Sequence, residues 1–270
     1  MGASSSEKSR ITKDDIKVGL QRLGIVPGDV AMLHSSLSSL GYVDGGADTV
    51  VDAFLEVLGD GGTLVVPSYS ESGWMLDRIR SGRVFDHAND STAAGAIPRA
   101  VLARPEQRRS HEPVGTVAAI GRYAQDITRF EPDSVDSCGP LSPFGKMLDL
   151  HAKIVLLGVT FNCCTHMHTL ESLARVPYSL TKKRYPWKTM LADGTFVSGQ
   201  EHCHSKGVPR LYTKIEPVLA ERGLLKTLKI GSAEVRMIAA RTLIDAGLEV
   251  LSVDPTFLLT DRGWQPNPDD

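Results

Sequence analysis

Three short apolar runs constrain this chain most: Val30-Ala31-Met32-Leu33, Thr63-Leu64-Val65-Val66 and Ile154-Val155-Leu156-Leu157-Gly158-Val159. They are apolar on consecutive residues and read as buried strands. The first gives way to His34-Ser35-Ser36. The second stops at Pro67, which cannot continue a strand, and the third precedes Thr165-His166-Met167-His168. Helical segments alternate with them. Thr12 is placed as an N-cap, with Asp14 and Asp15 in the first turn of a helix running to about Leu23. After Gly45-Gly46, the residues Val50, Val51, Phe54, Leu55 and Leu58 share one helical side. Strands alternating with helices predict an α/β fold, a layered α/β/α single domain with a central mixed sheet.

Further elements follow the same logic. Residues 93–102 read as helix, 117–121 as strand, 137–145 as loop and 232–246 as a long C-terminal helix. Ala192-Asp193-Gly194 between apolar flanks marks a hairpin. Residues 70–92 lack periodicity, and an irregular stretch of that length in a compact domain is often functional. A flexible leader is expected over residues 1–11 and one domain over 12–270. Met1-Gly2-Ala3-Ser4-Ser5-Ser6 formally fits a myristoylation pattern but reads better as a polar leader.

Net charge of −2 gives no nucleic-acid footprint, and no apolar run approaches the roughly 20 residues that span a bilayer. Four cysteines without scaffold spacing fit a reducing cytoplasm, so a cytoplasmic protein, monomer or homodimer, is expected.

The most informative chemistry lies just beyond the third run. If residues 165–175 are helical, Thr165, His168 and Glu171 recur every third position and lie along one face. A histidine and a carboxylate there, past the carboxyl end of a buried strand, occupy the usual site position of open α/β sheets. His168 can take a proton while Glu171 orients its ring and raises its pKa. The same spacing also suits an ordinary solvated helix face.

Two other loops carry unusual polar sets. The hydroxyls and amides of 34–41 can bind phosphate or carbonyl oxygens, or simply cap a helix. Arg108-Arg109-Ser110-His111 and the residues to Thr116 can form an anion site or a solvated turn. Cys163, Cys164 and His166, with His202-Cys203-His204, raise metal and thiol alternatives. Their spacing lacks the paired ligands of a structural zinc site, so no metal is expected. Cys164 as an acyl-carrying nucleophile stays open. A P-loop, a dinucleotide-type glycine fingerprint and a nucleophile elbow are all missing from the sequence.

Read in order, these segments resemble the aminoglycoside 3-N-acetyltransferase family, the antibiotic acetyltransferases distinct from the GNAT fold. The resemblance runs through His34-Ser35-Ser36-Leu37, Gly45-Gly46, Gly62-Thr63-Leu64-Val65-Val66-Pro67, Arg109-Ser110, and Gly139-Pro140-Leu141-Ser142-Pro143-Phe144-Gly145. Leu156-Leu157-Gly158-Val159 with Thr165, His168 and Glu171 is its most specific block, and Gly231-Ser232-Ala233 closes it. It implies acetyl coenzyme A (acetyl-CoA) as donor and the 3-amino group of a 2-deoxystreptamine aminoglycoside as acceptor, with antibiotic resistance as the outcome. His168 corresponds to the family's catalytic histidine and Glu171 to its orienting carboxylate. His34, Ser35, Ser36 and Leu37, with Arg109, Ser110, His111, Val114 and Thr116, are expected along coenzyme A. Glu71, Asp77, Asp86 and Thr165 are expected at the polycationic acceptor. Two departures stand out. Many members read Arg-Ser-x-His-Pro where this chain has Arg109-Ser110-His111-Glu112-Pro113. The segment 201–206 also departs from the acidic acceptor loop of the resistance enzymes.

Overall fold

The apolar runs form the centre of one large sheet. The computed structural model describes residues 10–264. Its strands are β1 (Arg10–Ile11), β2 (Val30–Ser35), β3 (Tyr42–Val43), β4 (Thr63–Pro67), β5 (Phe85–Asp86), β6 (Arg108–Arg109), β7 (Val117–Gly121), β8 (Lys153–Leu157), β9 (Leu180–Met190), β10 (Phe196–His204), β11 (Lys226–Ile230) and β12 (Ala233–Ala239). The helices are α1 (Lys13–Leu23), α2 (Gly46–Leu58), α3 (Met75–Arg80), α4 (Ala96–Leu102), α5 (Ala124–Thr128), α6 (Pro143–Asp149), α7 (His166–Ala174), α8 (Ile215–Glu221) and α9 (Ala240–Val253).

Seven strands pair in the order β11-β12-β8-β2-β4-β7-β6. The inner pairs β8/β2 and β2/β4 are parallel and the outer pairs antiparallel, giving the expected mixed sheet. Successive side chains of a strand point to opposite faces. Val30, Met32, Val65, Ile154 and Leu156 therefore enter one core with α6, α7 and α9. Ala31, Leu33, Leu64, Val66, Val155 and Leu157 enter the other, with α1, α2 and α4. Two covered faces explain why the runs are unbroken. Burying a Leu, Ile or Phe fully contributes roughly 1.5–3 kcal/mol, so each strand is held from both sides.

Because β2, β4 and β8 run the same way, their carboxyl ends open at one edge. The chain leaves β2 to one side for β4 and reaches β8 on the other, which places a crevice at the end of β2. Gly158 makes the exit from β8 possible. Its φ is +67°, and a Cβ there would fall 1.6 Å from Ser39 Oγ. That hydroxyl donates to the Ser36 carbonyl at 2.6 Å, tying the β2 loop to the β8 exit. α7 follows directly and is pinned by α9, where a Cβ on Gly247 would lie 2.3 Å from Leu170 Cδ2.

Several expectations are corrected. Residues 233–239, expected within the last helix, form β12, whose Val235 and Met237 are buried between exposed Glu234 and partly exposed Arg236; the helix starts only at Ala240. Residues 143–145, expected in a loop, begin α6, with Ser142 as N-cap accepting from the Gly145 amide and Pro143 in the first turn. The irregular stretch 70–92 contains α3 and β5. Of the expected leader, residues 1–9 lie outside the described residues, as does 265–270. Arg10–Ile11 pair in parallel with β3, with Ile11 5% exposed. The predicted hairpin is present but longer, with β9 and β10 joined by β5 in a second, three-stranded sheet.

Candidate active site

A cavity of about 500 Å³ opens at the carboxyl edge of β2 and β4, within the range of small-molecule sites. His34 and Ser35 from β2, Pro67 from β4, and Thr165 and His168 at the start of α7 line it. So do His204 and Ser205 from the end of β10, and Arg210 and Tyr212 beyond. The fold thus brings the first and third polar segments together.

His168 is the centre of the arrangement. Its Nδ1 lies 2.9 Å from Tyr212 Oη and 3.5 Å from Glu171 Oε2. With Nδ1 engaged on that side, Nε2 is the nitrogen left for the cavity. Glu171 is fully buried, and its main partner is another residue. Arg210 Nε donates to both carboxylate oxygens at 3.0 Å, while its terminal nitrogens donate to the Ser205 and Ser179 carbonyls. The ring of His204 stacks on His168 with centroids 4.1 Å apart.

The expected rise of the His168 pKa is corrected. Burial, then the positive charges of Arg210 and Arg78, hold it well below the ordinary histidine value of 6.5. Glu171 cannot reverse this, because Arg210 already occupies its charge. A neutral imidazole with its lone pair available is the resting state. Protonation of His168 below its depressed pKa removes the base, so the acid limb of kcat should lie below pH 6.5. A kcat profile against pH checks this; an acid limb at or above 6.5 would contradict the assignment.

Two buried histidines nearby are neutral as well. His34 is pushed down by burial to about 4, and its Nε2 accepts from the Thr165 amide at 3.4 Å. His166, pushed down to about 3 by burial, first of all, packs edge-on against Phe144. Burial pushes the Cys164 thiol up to about 12, so it is not a ready nucleophile. His168, Glu171 and His204 lie close enough to share an ion, but both Glu171 oxygens are bound by Arg210. A dication there would meet the guanidinium. His202 is held by the Thr181 carbonyl at 2.8 Å and Cys203 packs with Val114 and Trp187, so that tripeptide is divided among different surroundings.

Ser35 Oγ is buried without a hydrogen-bond partner and lines both the His168 cavity and an adjoining groove formed by Ser36, Leu37, Gly41 and Gly46. The 109–116 segment does not reach the cavity. Arg109 is 4% exposed, its guanidinium over the Phe85 ring and donating to the carbonyls of Ser68, His87 and Asp90. Ser110 Oγ accepts from the Val117 amide, His111 meets His87 edge-on, and Val114 is fully buried. Thr116 Oγ1 donates to the Glu112 carbonyl. This segment serves as a brace, and its expected contact with coenzyme A is not met at the His168 cavity.

The acids expected at the acceptor lie outside this cavity. Glu71 pairs with Arg83 at 2.9 Å, Asp77 with Lys206 at 2.8 Å, and Asp86 closes a turn onto Ala88 and Asn89. None of them lines the cavity, and its described lining holds no aspartate or glutamate.

Glu112, which stands at the departure from the family pattern, is buried, and its charge is felt by buried Glu201. Burial, then Glu112 and Asp136, push Glu201 well above its ordinary value. The folded protein therefore holds this proton more tightly than the unfolded chain. Its contribution favours folding at low pH and is lost as pH rises through the folded pKa. Glu201→Gln should raise the Tm at pH 8 by about 2–4 °C, equivalent to about 1 kcal/mol, and by much less at pH 4. Thermal melts at the two pH values decide it; equal shifts would contradict the assignment.

Arg210, Tyr212 and Arg78 were not singled out by sequence pattern. Arg210 and Tyr212 share one segment that carries no local signal, Arg78 lies within the irregular stretch 70–92, and His204 stood in a marked tripeptide.

Comparison with known proteins shows the family. The family described as aminoglycoside 3-N-acetyltransferase matches residues 32–252. Aminoglycoside N(3)-acetyltransferase IV of Salmonella sp is 30% identical over 246 residues, covering 89% of this chain and 87% of that protein. Aminoglycoside N(3)-acetyltransferase VII of Streptomyces paromomycinus is 28% identical over 265 residues, covering 88% and 90%. A crystal structure of aminoglycoside acetyltransferase AAC(3)-IVa, a histidine-to-alanine mutant in complex with gentamicin, superposes with a TM-score of 0.81 at 27% identity. It covers 95% of this chain and 94% of that one.

Proposed function

The chain belongs to the aminoglycoside 3-N-acetyltransferase family, and from this premise we propose that it moves an acetyl group from acetyl-CoA directly to an amine, with His168 as general base. The observation that carries the reading is the neutral His168, its Nδ1 held by Tyr212 and Glu171 in the cavity where β2, β4 and α7 meet.

The acceptor amine reaches the enzyme mostly as an ammonium ion and must lose a proton before it can attack a thioester. Nε2 of His168 takes that proton, which frees the nitrogen lone pair to add to the thioester carbon. Glu171 and Tyr212 hold Nδ1 and so fix the ring orientation. The carbonyl oxygen gains negative charge in the tetrahedral intermediate. Ser35 Oγ, buried and unpartnered in the cavity wall, is suited to donate to it. Collapse expels the coenzyme A thiolate and leaves the amide. The groove along Ser36 and Leu37 adjoins the cavity at Ser35, which suits it to the pantetheine arm.

The acceptor of the family reading is the 3-amino group of a 2-deoxystreptamine aminoglycoside, and resistance to such drugs is its cellular consequence. A second reading, acetylation of a different amine, is favoured by the absence of carboxylates from the described cavity lining. Thiol release from acetyl-CoA, followed with aminoglycosides that have or lack the 3-amino group, tests the first. Turnover that requires this amine supports it. Equal turnover without it, or none with any drug, overturns it.

A further inference from the structure

The described lining of the His168 cavity holds no carboxylate, so an acceptor with several ammonium groups must be met there by other means. Its aromatic side chains differ in what is left of their faces. Tyr212 is 5% exposed and engaged with His168 through its hydroxyl and its ring. Tyr69 is half-buried, with the Arg78 guanidinium 4.9 Å from its ring centre. Trp74 is 44% exposed, and no cation or aromatic ring among the described residues covers its indole. Tryptophan is usually well buried, so an indole left open in the wall of a cavity calls for an occupant.

The chain around it holds this indole in place. Trp74 is the N-cap of α3, and its carbonyl accepts from the Asp77 and Arg78 amides at 3.1 and 3.2 Å. Leu76 is fully buried and Ile79 nearly so, packed in a small core with Val114, Trp187 and Cys203. On the solvent side Asp77 pairs with Lys206 at 2.8 Å, next to Ser205 of the cavity lining. Packing below and an ion pair across therefore fix the backbone that carries the indole. Little freedom is left to lose when a ligand covers it.

We propose that Trp74 is the stacking platform for an aminosugar ring of the acceptor, a ring other than the one whose amine His168 deprotonates. The proposal rests on the acetyl-transfer reading and names a specificity-determining residue of the same site. Sugar C–H bonds flanked by oxygen carry partial positive charge, and an ammonium on the ring adds a full one. Both are attracted to the negative face of an indole, the strongest of the aromatic side chains in this respect. His168 enters the cavity from α7 and Trp74 from the loop before α3, so an acceptor of two or more rings can engage both. The adenine of coenzyme A is a poorer match. The groove that continues from Ser35 is lined by Leu37, Gly41 and Gly46 and does not include Trp74.

Two acceptors test this: 2-deoxystreptamine alone, and gentamicin, in which aminosugars are attached to that ring. Acceptor binding is measured by calorimetry with coenzyme A present, beside thiol release, for the native chain, Trp74→Phe and Trp74→Leu. Trp74→Leu should weaken gentamicin about tenfold, the scale of one cation–π contact, and 2-deoxystreptamine by less than about twofold. Trp74→Phe keeps an aromatic face and should stay within about threefold of the native chain. The loss should appear in KM for gentamicin rather than in kcat. Gentamicin should also quench the fluorescence of the native chain but not that of Trp74→Phe, which retains Trp187 and Trp264.

Equal weakening of both acceptors by Trp74→Leu would make Trp74 a support of its loop and overturn the proposal. So would a Trp74→Leu variant that binds gentamicin as the native chain does, since the ring electrons would then be idle. Weakening confined to coenzyme A would assign the indole to the donor and overturn it as well. All three outcomes leave acetyl transfer standing. Gentamicin held by Trp74 without any thiol release would instead count against the acetyl-transfer reading alone, and no binding of gentamicin at all would overturn both.

Discussion

His168→Ala should lose about 10²–10⁴-fold in kcat, the range associated with a positioned general base, while the protein keeps its fold and binds coenzyme A as before. The side chain is exposed to the cavity on one side and makes its described polar contacts through Nδ1 alone. Removing it therefore leaves both cores untouched. Met167 and Leu170, which anchor α7 in the core, stay in place. The loss should fall on kcat at saturating amine, because the bound ammonium cannot attack until His168 has taken its proton. Added imidazole, small enough for the vacated space, should restore part of the rate in proportion to its neutral fraction. Steady-state kinetics with purified, folded variant settle the matter. Near-normal turnover would remove His168 from the chemistry.

Glu171→Ala should produce the largest loss of stability of any single change at the site, about 3–5 kcal/mol. The structure makes Glu171 the counter-ion of Arg210 before it is the orienter of His168. Both side chains are removed from water, at 0% and 8% exposure, and Arg210 Nε reaches both carboxylate oxygens. Truncating one partner leaves a guanidinium buried without compensation. For a domain of this size the cost corresponds to a fall in Tm of about 6–20 °C. Removing both charges in Glu171→Ala/Arg210→Met should recover more than half of that loss, since the unpaired charge goes with its partner. Glu171→Gln, which keeps the shape, should melt between the two. Thermal melts of the three variants would distinguish the alternatives. An unchanged Tm in Glu171→Ala would mean that the carboxylate acts on His168 alone.

Much of this architecture is legible in the chain because buried strands declare themselves by consecutive apolar residues. The runs at 30, 63 and 154 could be placed without a partner in view, since burial on both faces requires no alternation. β12 was harder to read. Its seven residues lie against Gly231 and run straight into α9, so strand and helix present one continuous apolar-polar mixture. Only pairing with β8 and β11 decides that Val235 and Met237 face inward on alternate positions.

The site divides along the same line. Thr165, His168 and Glu171 were visible because a spacing of three along one helix and its N-cap sets them on one face. Arg210 and Tyr212 reach the same point from beyond a hairpin, and no local spacing connects them. The consequence is chemical: a carboxylate read without its guanidinium predicts a raised imidazole pKa, and the guanidinium reverses the sign. The 109–116 segment, which lies outside the His168 cavity, shows a related ambiguity. Arginine next to serine looks the same in sequence whether it faces a phosphate or the carbonyls of Ser68, His87 and Asp90. Acidic residues in 70–92 likewise suggested a cation site, but Arg83 holds Glu71, Lys206 holds Asp77, and Asp86 closes a turn onto Ala88 and Asn89.

The central claim is direct transfer from thioester to amine with His168 as base, and the chain's own acetylation state tests it most directly. Purified protein is mixed with acetyl-CoA, first without and then with an accepted amine, while free thiol and the intact mass of the protein are followed together. The account predicts that thiol appears only when amine is present, in equal amount with the N-acetyl product, and that the protein mass does not change. A burst of thiol without amine, accompanied by an acetyl group on Cys163 or Cys164 that later passes to the amine, would contradict it.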